Sequence, residues 1–321
     1  MKTVKIKYVD FWPNFSYDKD PVYGVLKEKY NVEISDSPDY IIYSTFGKKH
    51  LNYDCIKIFY AGEEQSPDFN ICDYGIGFDF IDFGDRYFRL PLIYHPMYRQ
   101  DYDRMINRGL GECRKKFCSF VYSNPQASPI RGEFFEKLSA YEKVDSGGKF
   151  MNNVGGPVPN KYDFEKNYRF SIAFENVSHP GYSTEKLMQS FAAGGIPIYW
   201  GDPLIEKVFN PKSFINVMNF SNVDEAIQYI KSINENEELY NAILNEKALN
   251  EGYTVEIVWK QFEKFILNIF EQDINRAQRT TRIFWNLKYQ TLAKNQEKLY
   301  QLMAPVRGIR YRILKLLHKR E

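Results

Sequence analysis

Cysteine and histidine are scarce, at four each in 321 residues. Cys55, Cys72, Cys113 and Cys118 form no C-x-x-C pair, and no His/Cys cluster has metal-ligand spacing. That excludes a zinc-built or disulfide-built small fold; unpaired thiols in a reducing cytoplasm are expected instead. Long hydrophobic runs are also missing. The opening MKTVKIKYVDFWPNF lacks the apolar core of a secretion signal, and no run of about 18 apolar residues is present to span a membrane as a helix. No G-x-G-x-x-G follows a strand pattern, which argues against a nicotinamide-dependent dehydrogenase. Net charge is only +2, which argues against nucleic acid as the partner.

Aromatic residues are abundant, with 25 Tyr and 25 Phe. Such side chains suit sugar stacking, although most fill cores. Charge is uneven. From Arg276 to Glu321 there are 12 Lys/Arg against 2 Asp/Glu, leaving the rest of the chain with 31 basic and 39 acidic residues, a net of −8. Two D-x-D triplets, Asp18–Asp20 and Asp101–Asp103, read as solvated loops rather than metal sites.

The patterning predicts an α/β protein. TVKIKYV, DYIIYSTFG, IKIFYAGE, YGIGFDF and YFRLPLIY read as strands, residues 101–118 as irregular, KFCSFVYSNP as a strand and EFFEKLSAYEKV as a helix. SGGKFMNNVGGPVPN reads as a loop and domain linker. YRFSIAFEN, a helix and IPIYWG then form a β-α-β unit, so a parallel sheet is expected. Two Rossmann-like halves facing a cleft follow: 1–155, 156–273, and a basic helical tail over 274–321.

One stretch poses a question. GYSTEK, Gly181 to Lys186, opens a helix whose apolar residues are Leu187, Met188, Phe191 and Ala192, with Ser183 or Thr184 as N-cap. Lys186 then lies in the first turn, where a cation opposes the helix dipole. Either Glu185 and Lys186 are a surface pair, or an anion binds at this carboxyl edge of the sheet, among Asn176, Tyr182, Glu185 and Lys186.

The wider string FENVSHPGYSTEKLMQSFAAGGIPIYWG resembles the signature of the α1,3/α1,4-fucosyltransferases, glycosyltransferase family ten. The letters F-E-N, Y-x-T-E-K and P-x-Y-W-G are all present: Phe174, Glu175, Asn176, Tyr182, Thr184, Glu185, Lys186, Pro197, Tyr199, Trp200 and Gly201. The likeness spans roughly residues 55–270 and is greatest to soluble bacterial members. It implies a GT-B fold with GDP-fucose as donor, held by the carboxyl-terminal half, and inverting transfer. Arg131 and Lys186 match positions that stabilise the departing pyrophosphate, with Tyr182 donating to a phosphate oxygen. Asn176 and Glu185 match nucleotide-binding positions, and Ser123 and Asn124 lie in a matching loop. Glu63, in the G-E pair of FYAGEEQ, matches the catalytic base, with Glu64 as the fallback. Read alone, each is an ordinary loop carboxylate.

The resemblance implies O3 or O4 transfer to GlcNAc or Glc of β-galactosides such as N-acetyllactosamine, giving Lewis-type structures. No metal is required, though a divalent ion would be a stimulant. Another GDP-sugar or acceptor is the alternative, and a non-catalytic glycan- or nucleotide-sugar-binding protein is the alternative of another class. In the tail, Trp285, Leu292 and Leu299 recur every seven residues, and Arg307, Arg312, Lys315 and Lys319 lie largely opposite an apolar face. That pattern predicts a helix on an anionic membrane over 282–320, at the inner face of the cytoplasmic membrane. Packing back on the body or against another chain is the alternative, and the oligomeric state is not legible.

Overall fold

A computed structural model describes residues 1–108, 114–281 and 283–317, with side chains through Met303. The chain divides into two compact units. The first comprises Met1–Gly77, Asp82–Phe88 and the chain from Lys264; the second comprises Phe78–Ile81 and Arg89–Glu263.

The first unit is built on β1 (Thr3–Val9), α1 (Pro21–Lys29), β2 (Asn31–Ile34), β3 (Tyr40–Tyr43), β4 (Ile56–Tyr60), β5 (Tyr74–Gly77) and β6 (Tyr87–Arg89). The sheet order is β2-β1-β3-β4-β5-β6, with β1 to β5 all paired in parallel. β3 and β4 are buried along their whole length, as expected for near-continuous apolar runs covered on both faces. Asp20 caps α1, its carboxylate accepting from Val22 N–H at 3.0 Å and the Tyr8 hydroxyl at 2.8 Å. It is therefore a buried cap rather than the solvated loop residue expected of a D-x-D triplet.

The second unit holds α2 (Arg99–Ile106), β7 (Lys116–Phe120), α3 (Ile130–Tyr141), β8 (Val144–Ser146), α4 (Lys161–Glu165), β9 (Tyr168–Phe174), α5 (Glu185–Ala192), β10 (Ile196–Trp200), β11 (Ile215–Asn216), α6 (Val223–Asn234), α7 (Glu237–Leu244) and the first part of α8 (Val255–Glu271). Its sheet is parallel throughout, in the order β11-β10-β9-β7-β8. Phe170, Ile172 and Phe174 alternate along β9 into a core with Phe120, Phe134, Leu138, Ile198 and Ile230. α5 buries Leu187, Met188 and Phe191, each stabilising the unit by about 1.5–3 kcal/mol.

The chain divides elsewhere than at the expected residue 155. β7, α3 and β8 hydrogen-bond or pack into the second sheet, and residues 147–160 are a loop within that unit. Gly148 shows why the loop is glycine-rich: a Cβ there would lie 1.8 Å from the Tyr122 carbonyl oxygen. It is a packing glycine, not a linker residue. The start of the stretch read as irregular, residues 101–106, belongs to α2 and is helical because Tyr102 and Met105 bury one short face.

The chain re-enters the first unit at Lys264, inside α8, and continues through α9 (Ile274–Ala277) to α10 (Phe284–Leu317). Phe270 of α8 packs on Tyr40 with ring centroids 4.3 Å apart. Beyond α9 the segment is fastened by Asp73, which is fully buried. One carboxylate oxygen accepts from Thr280 N–H (2.7 Å), the Thr280 hydroxyl (2.9 Å) and Arg279 N–H (2.8 Å); the other accepts from Lys57 N–H at 2.9 Å. The start of α10 is held by Tyr289, whose hydroxyl donates to Asp68 at 2.6 Å. Trp285, Leu292 and Leu299 are all more than half exposed. The basic side chains from Arg307 to Arg320 lie outside the described residues, as does residue 282. No helix among the described residues is long and apolar enough to cross a membrane.

Candidate active site

In the second sheet the strand order reverses between β7 and β9, so the loops leaving these strands diverge and leave a crevice at the carboxyl edge. β7 delivers Tyr122, Ser123 and Asn124 to it; β9 delivers Glu175 and Asn176.

Arg131, in the first turn of α3, reaches into this edge and is 2% exposed. One guanidinium nitrogen donates to the Phe174 carbonyl at 3.1 Å and to Asn176 Oδ1 at 2.8 Å. The other reaches the Asn124 carbonyl at 3.5 Å. The group lies 4.1 Å over the Tyr122 ring. Tyr122 is itself fixed, donating to the Ile172 carbonyl at 2.9 Å and accepting from Phe174 N–H at 2.6 Å. All of these acceptors are neutral, and among the described residues Arg131 makes no ion pair. Burial depresses its pKa, but a guanidinium keeps its proton. Glu175 favours the charge from beyond ion-pair distance, and a bound anion would offset what burial still costs.

Eleven residues after Glu175 comes Lys186, and the two meet. Glu175 is fully buried at the end of β9. It accepts from Thr184 N–H (2.8 Å), the Thr184 hydroxyl (2.7 Å) and Lys186 Nζ (3.0 Å). Thr184 occupies the N-cap position of α5 but makes no side-chain cap, because its hydroxyl is given to Glu175. The question raised by GYSTEK thus has an internal part to its answer: the first-turn lysine has a built-in carboxylate. Burial opposes the Lys186 charge, but Glu175 and then Glu185 outweigh it and its pKa is raised. Burial likewise opposes the Glu185 charge, but Lys186 and Lys161 hold its pKa below the ordinary value. Gly201 follows from the same carboxylate, since a Cβ there would lie 2.5 Å from Glu175 Cγ.

The turn before α5 is built on Asp202, which the sequence reading did not single out. Its Oδ1 accepts from Gly181 N–H at 2.6 Å and Leu204 N–H at 2.8 Å. Asp202 N–H in turn donates to the Tyr199 hydroxyl at 2.9 Å. Gly181 has φ +89° and a Cβ there would lie 2.3 Å from the Phe78 carbonyl oxygen, so only glycine fits. Tyr182 is buried with its ring edge-on to Phe78 at 5.2 Å.

Arg131, Asn176, Glu185, Lys186, Asn124 and Ser123 therefore gather around one sheet edge, although Ser123 and Asn124 are exposed and Asn124 closes a local turn with Gln126. Glu175, Tyr122 and Asp202 are the members that residue-by-residue reading missed. The signal for Glu175 was its place inside F-E-N; nothing periodic marks it. In the first unit, Glu63 and Glu64 are exposed on the turn after β4, with Gln65 N–H donating to the Glu63 carbonyl at 2.7 Å. Asp101 and Asp103 lie on α2, and no group of three or more His, Cys, Asp or Glu among the described residues is arranged to hold a metal ion. Cys55, Cys72 and Cys118 are free thiols; Cys113 lies outside the described residues.

Residues 112–288 match the family described as "Glycosyltransferase family 10 (fucosyltransferase) C-term", and residues 6–97 match "Alpha-(1,3)-fucosyltransferase FucT N-terminal domain". The chain belongs to glycosyltransferase family 10. This family 10 chain is 33% identical over 318 residues to the α-(1,3)-fucosyltransferase FucT of Helicobacter pylori, an alignment covering 84% of the chain and 66% of that enzyme. It is similar to a crystal structure of an α1,3-fucosyltransferase, with a TM-score of 0.74, 30% identity, and coverage of 88% of this chain and 93% of that one. A crystal structure of an α1,3-fucosyltransferase with GDP-fucose matches at a TM-score of 0.70 and 30% identity, covering 83% and 91% of the two chains. The two parallel-sheet α/β units are those of the GT-B class.

Proposed function

We propose that this family 10 chain is an inverting fucosyltransferase that moves L-fucose from GDP-β-L-fucose to O3, or O4, of GlcNAc or Glc in a β-galactoside glycan. The observation that carries the reading is Arg131: a buried guanidinium at the switch point of a parallel sheet, held by neutral acceptors only. That is the environment an anionic leaving group requires. With Lys186 it would stabilise the charge on the GDP phosphate as the bond to fucose C1 breaks. Asn176 keeps Arg131 aimed, and Glu175 keeps Lys186 aimed and charged. Glu185 is the candidate acceptor for a ribose hydroxyl, and Tyr182, Ser123 and Asn124 complete the donor set.

Glu63 is the general base. It takes the proton from the acceptor hydroxyl, whose oxygen attacks C1 from the face opposite GDP, so the β-linked donor gives an α-linked product. Two protein cations offset the pyrophosphate charge, so transfer is expected without added metal, with a divalent ion as no more than a stimulant. The basic stripe over 282–320 is assigned to an anionic membrane surface, placing the enzyme on the inner face of the cytoplasmic membrane.

The test is transfer of labelled fucose from GDP-fucose, in EDTA, to N-acetyllactosamine, lactose and the β1,3-linked isomer. Product on the first two signifies O3 transfer, and product only on the isomer signifies O4. Glu63→Gln should lower turnover by about 10²–10⁴-fold while the GDP-fucose Kd holds. Unchanged turnover would remove Glu63 from its role, and absence of GDP-fucose binding by the native chain would sink the donor assignment.

A further inference from the structure

The first sheet has a switch point of its own, between β1 and β3, where neighbouring loops diverge at the carboxyl edge. The loop leaving β1 is unusually well fixed. Asp10 has φ +60°, and its carboxylate accepts from Lys49 N–H at 2.9 Å and His50 N–H at 2.8 Å and meets His50 Nδ1 at 2.8 Å. Its carbonyl accepts from Phe46 N–H at 3.0 Å, which straps the loop after β1 to the loop after β3. A second turn follows at once. Phe15 N–H donates to the Trp12 carbonyl at 3.2 Å, with Pro13 and then Asn14 at φ +65° between them. Proline followed by a left-handed asparagine is the residue order that type II turns favour. Phe11 and Phe15 stack beneath this turn with centroids 3.9 Å apart.

These constraints present two rings. Trp12 stands edge-on to Phe46 at 6.0 Å and to Phe15 at 5.2 Å. Phe46 is 45% exposed, and Trp12 is only partly buried. Both abut Gly62: a Cβ there would lie 2.8 Å from Phe46 Cε2 and 3.5 Å from Trp12 Cε3. Gly62 is the residue immediately before Glu63, so the rings stand one residue from the carboxylate assigned as base. Ser44, 1% exposed, lies under the same glycine. Its Oγ is 3.0 Å from that Cβ position and has no hydrogen-bond partner among the described residues.

We propose that Trp12 and Phe46 are the stacking platform for a pyranose ring of the acceptor sugar. The inference rests on the transferase reading and adds the specificity-determining residues to it. A pyranose offers a face of axial C–H bonds that packs on an aromatic ring, while its hydroxyls point outward to polar partners. A rigid platform beside the base holds the attacking hydroxyl within reach and needs no ordering when the sugar arrives. The requirement for glycine at position 62 follows: a side chain there would push the base away from the rings.

The test separates acceptor from donor. Trp12→Ala and Phe46→Ala should each raise the KM for N-acetyllactosamine about tenfold, the scale of one lost aromatic contact, while the KM for GDP-fucose holds. Trp12→Phe, which keeps an aromatic face, should restore most of the loss. An unchanged acceptor KM, or equal rises in both KM values, would overturn the proposal. A second measurement is independent of turnover. In Trp285→Phe protein, which removes an exposed background fluorophore, N-acetyllactosamine should change the tryptophan emission saturably, and adding Trp12→Phe should abolish the change. Emission that never responds overturns the platform. Emission that responds in a protein transferring no fucose supports the platform and refutes the transferase reading instead.

Discussion

Replacing Glu175 by Gln would isolate the role of the buried carboxylate at the carboxyl edge of the second sheet. The amide keeps an oxygen to accept from Thr184 but removes the charge 3.0 Å from Lys186 Nζ. At that separation the gross attraction is on the order of 5 kcal/mol for an effective dielectric near 20. Breaking one side of a buried pair costs about 3–5 kcal/mol. Because the Lys186 side chain is 14% exposed, water recovers part of that, and about 3 kcal/mol is the expected loss. At about 2–4 °C per kcal/mol for a unit of this size, the melting midpoint should fall by roughly 6–12 °C. Saturating GDP should then stabilise the variant more than the native protein, since a phosphate supplies the missing counter-charge. The pH dependence has a defined sign. Lys186 has a raised pKa in the folded state, so its contribution is complete below the ordinary lysine value of 10.5 and is lost as pH rises through the folded value. That alkaline loss should shrink in the variant. Differential scanning calorimetry with and without GDP at pH 8 and pH 11 measures all three effects. A midpoint within about 2 °C of native at pH 8, or a smaller GDP shift in the variant, would refute the reasoning.

Three further outcomes are expected. Burial pushes the pKa of His95 down to about 4, and its Nδ1 accepts from Met97 N–H at 3.2 Å, so it folds neutral. Its contribution is complete above the unfolded value near 6.5 and is lost as pH falls towards 4, by at most about 1.4 kcal/mol per pH unit; urea midpoints of His95→Asn should depend less on pH in that window. Asp73→Ala strands three backbone donors and the Thr280 hydroxyl, and should cost at least about 3 kcal/mol by urea titration, with the segment around residue 280 becoming the first site of proteolysis. Ending the chain after Met303, beyond the contacts of Asn286, Tyr289 and Gln290 with the first unit, should leave the fold intact and abolish binding to anionic vesicles. A cut after Asp273 would remove Thr280 from Asp73 and confound that measurement.

That Asn176, Glu185 and Lys186 gather at one sheet edge was legible because the cluster is local. β9, α5 and β10 lie within one short stretch, and every letter of F-E-N and Y-x-T-E-K falls at a strand end or a helix start. What each letter does was less legible. Thr184 looks like a cap and is a partner of Glu175; Lys186 looks like an anion ligand and is also half of an internal pair. Such pairings depend on where two loops cross, which no periodicity encodes. The division of the chain was hidden for a related reason. A glycine-rich stretch reads as a hinge, yet Gly148 is small because the Tyr122 backbone passes against it. β2 escaped notice because an edge strand with one partly buried residue carries no apolar pattern. α2 escaped because RQDYDRMI buries only two side chains.

The interrupted course of the first unit has a consequence for biosynthesis. Residues 89–263 are continuous and hold a complete five-stranded sheet, so this part can collapse while translation is still under way. The amino-terminal sheet emerges first but cannot finish. Asp73 meets Arg279 and Thr280 across more than 200 residues of intervening chain, and Tyr40 waits as long for Phe270. The unit synthesised first is therefore the one completed last. In the interval its carboxylate, lacking the donors of Arg279 and Thr280, and its uncovered aromatic face are exposed to whatever binds nascent chains, and the slowest folding phase should belong to the docking of residues 264–281.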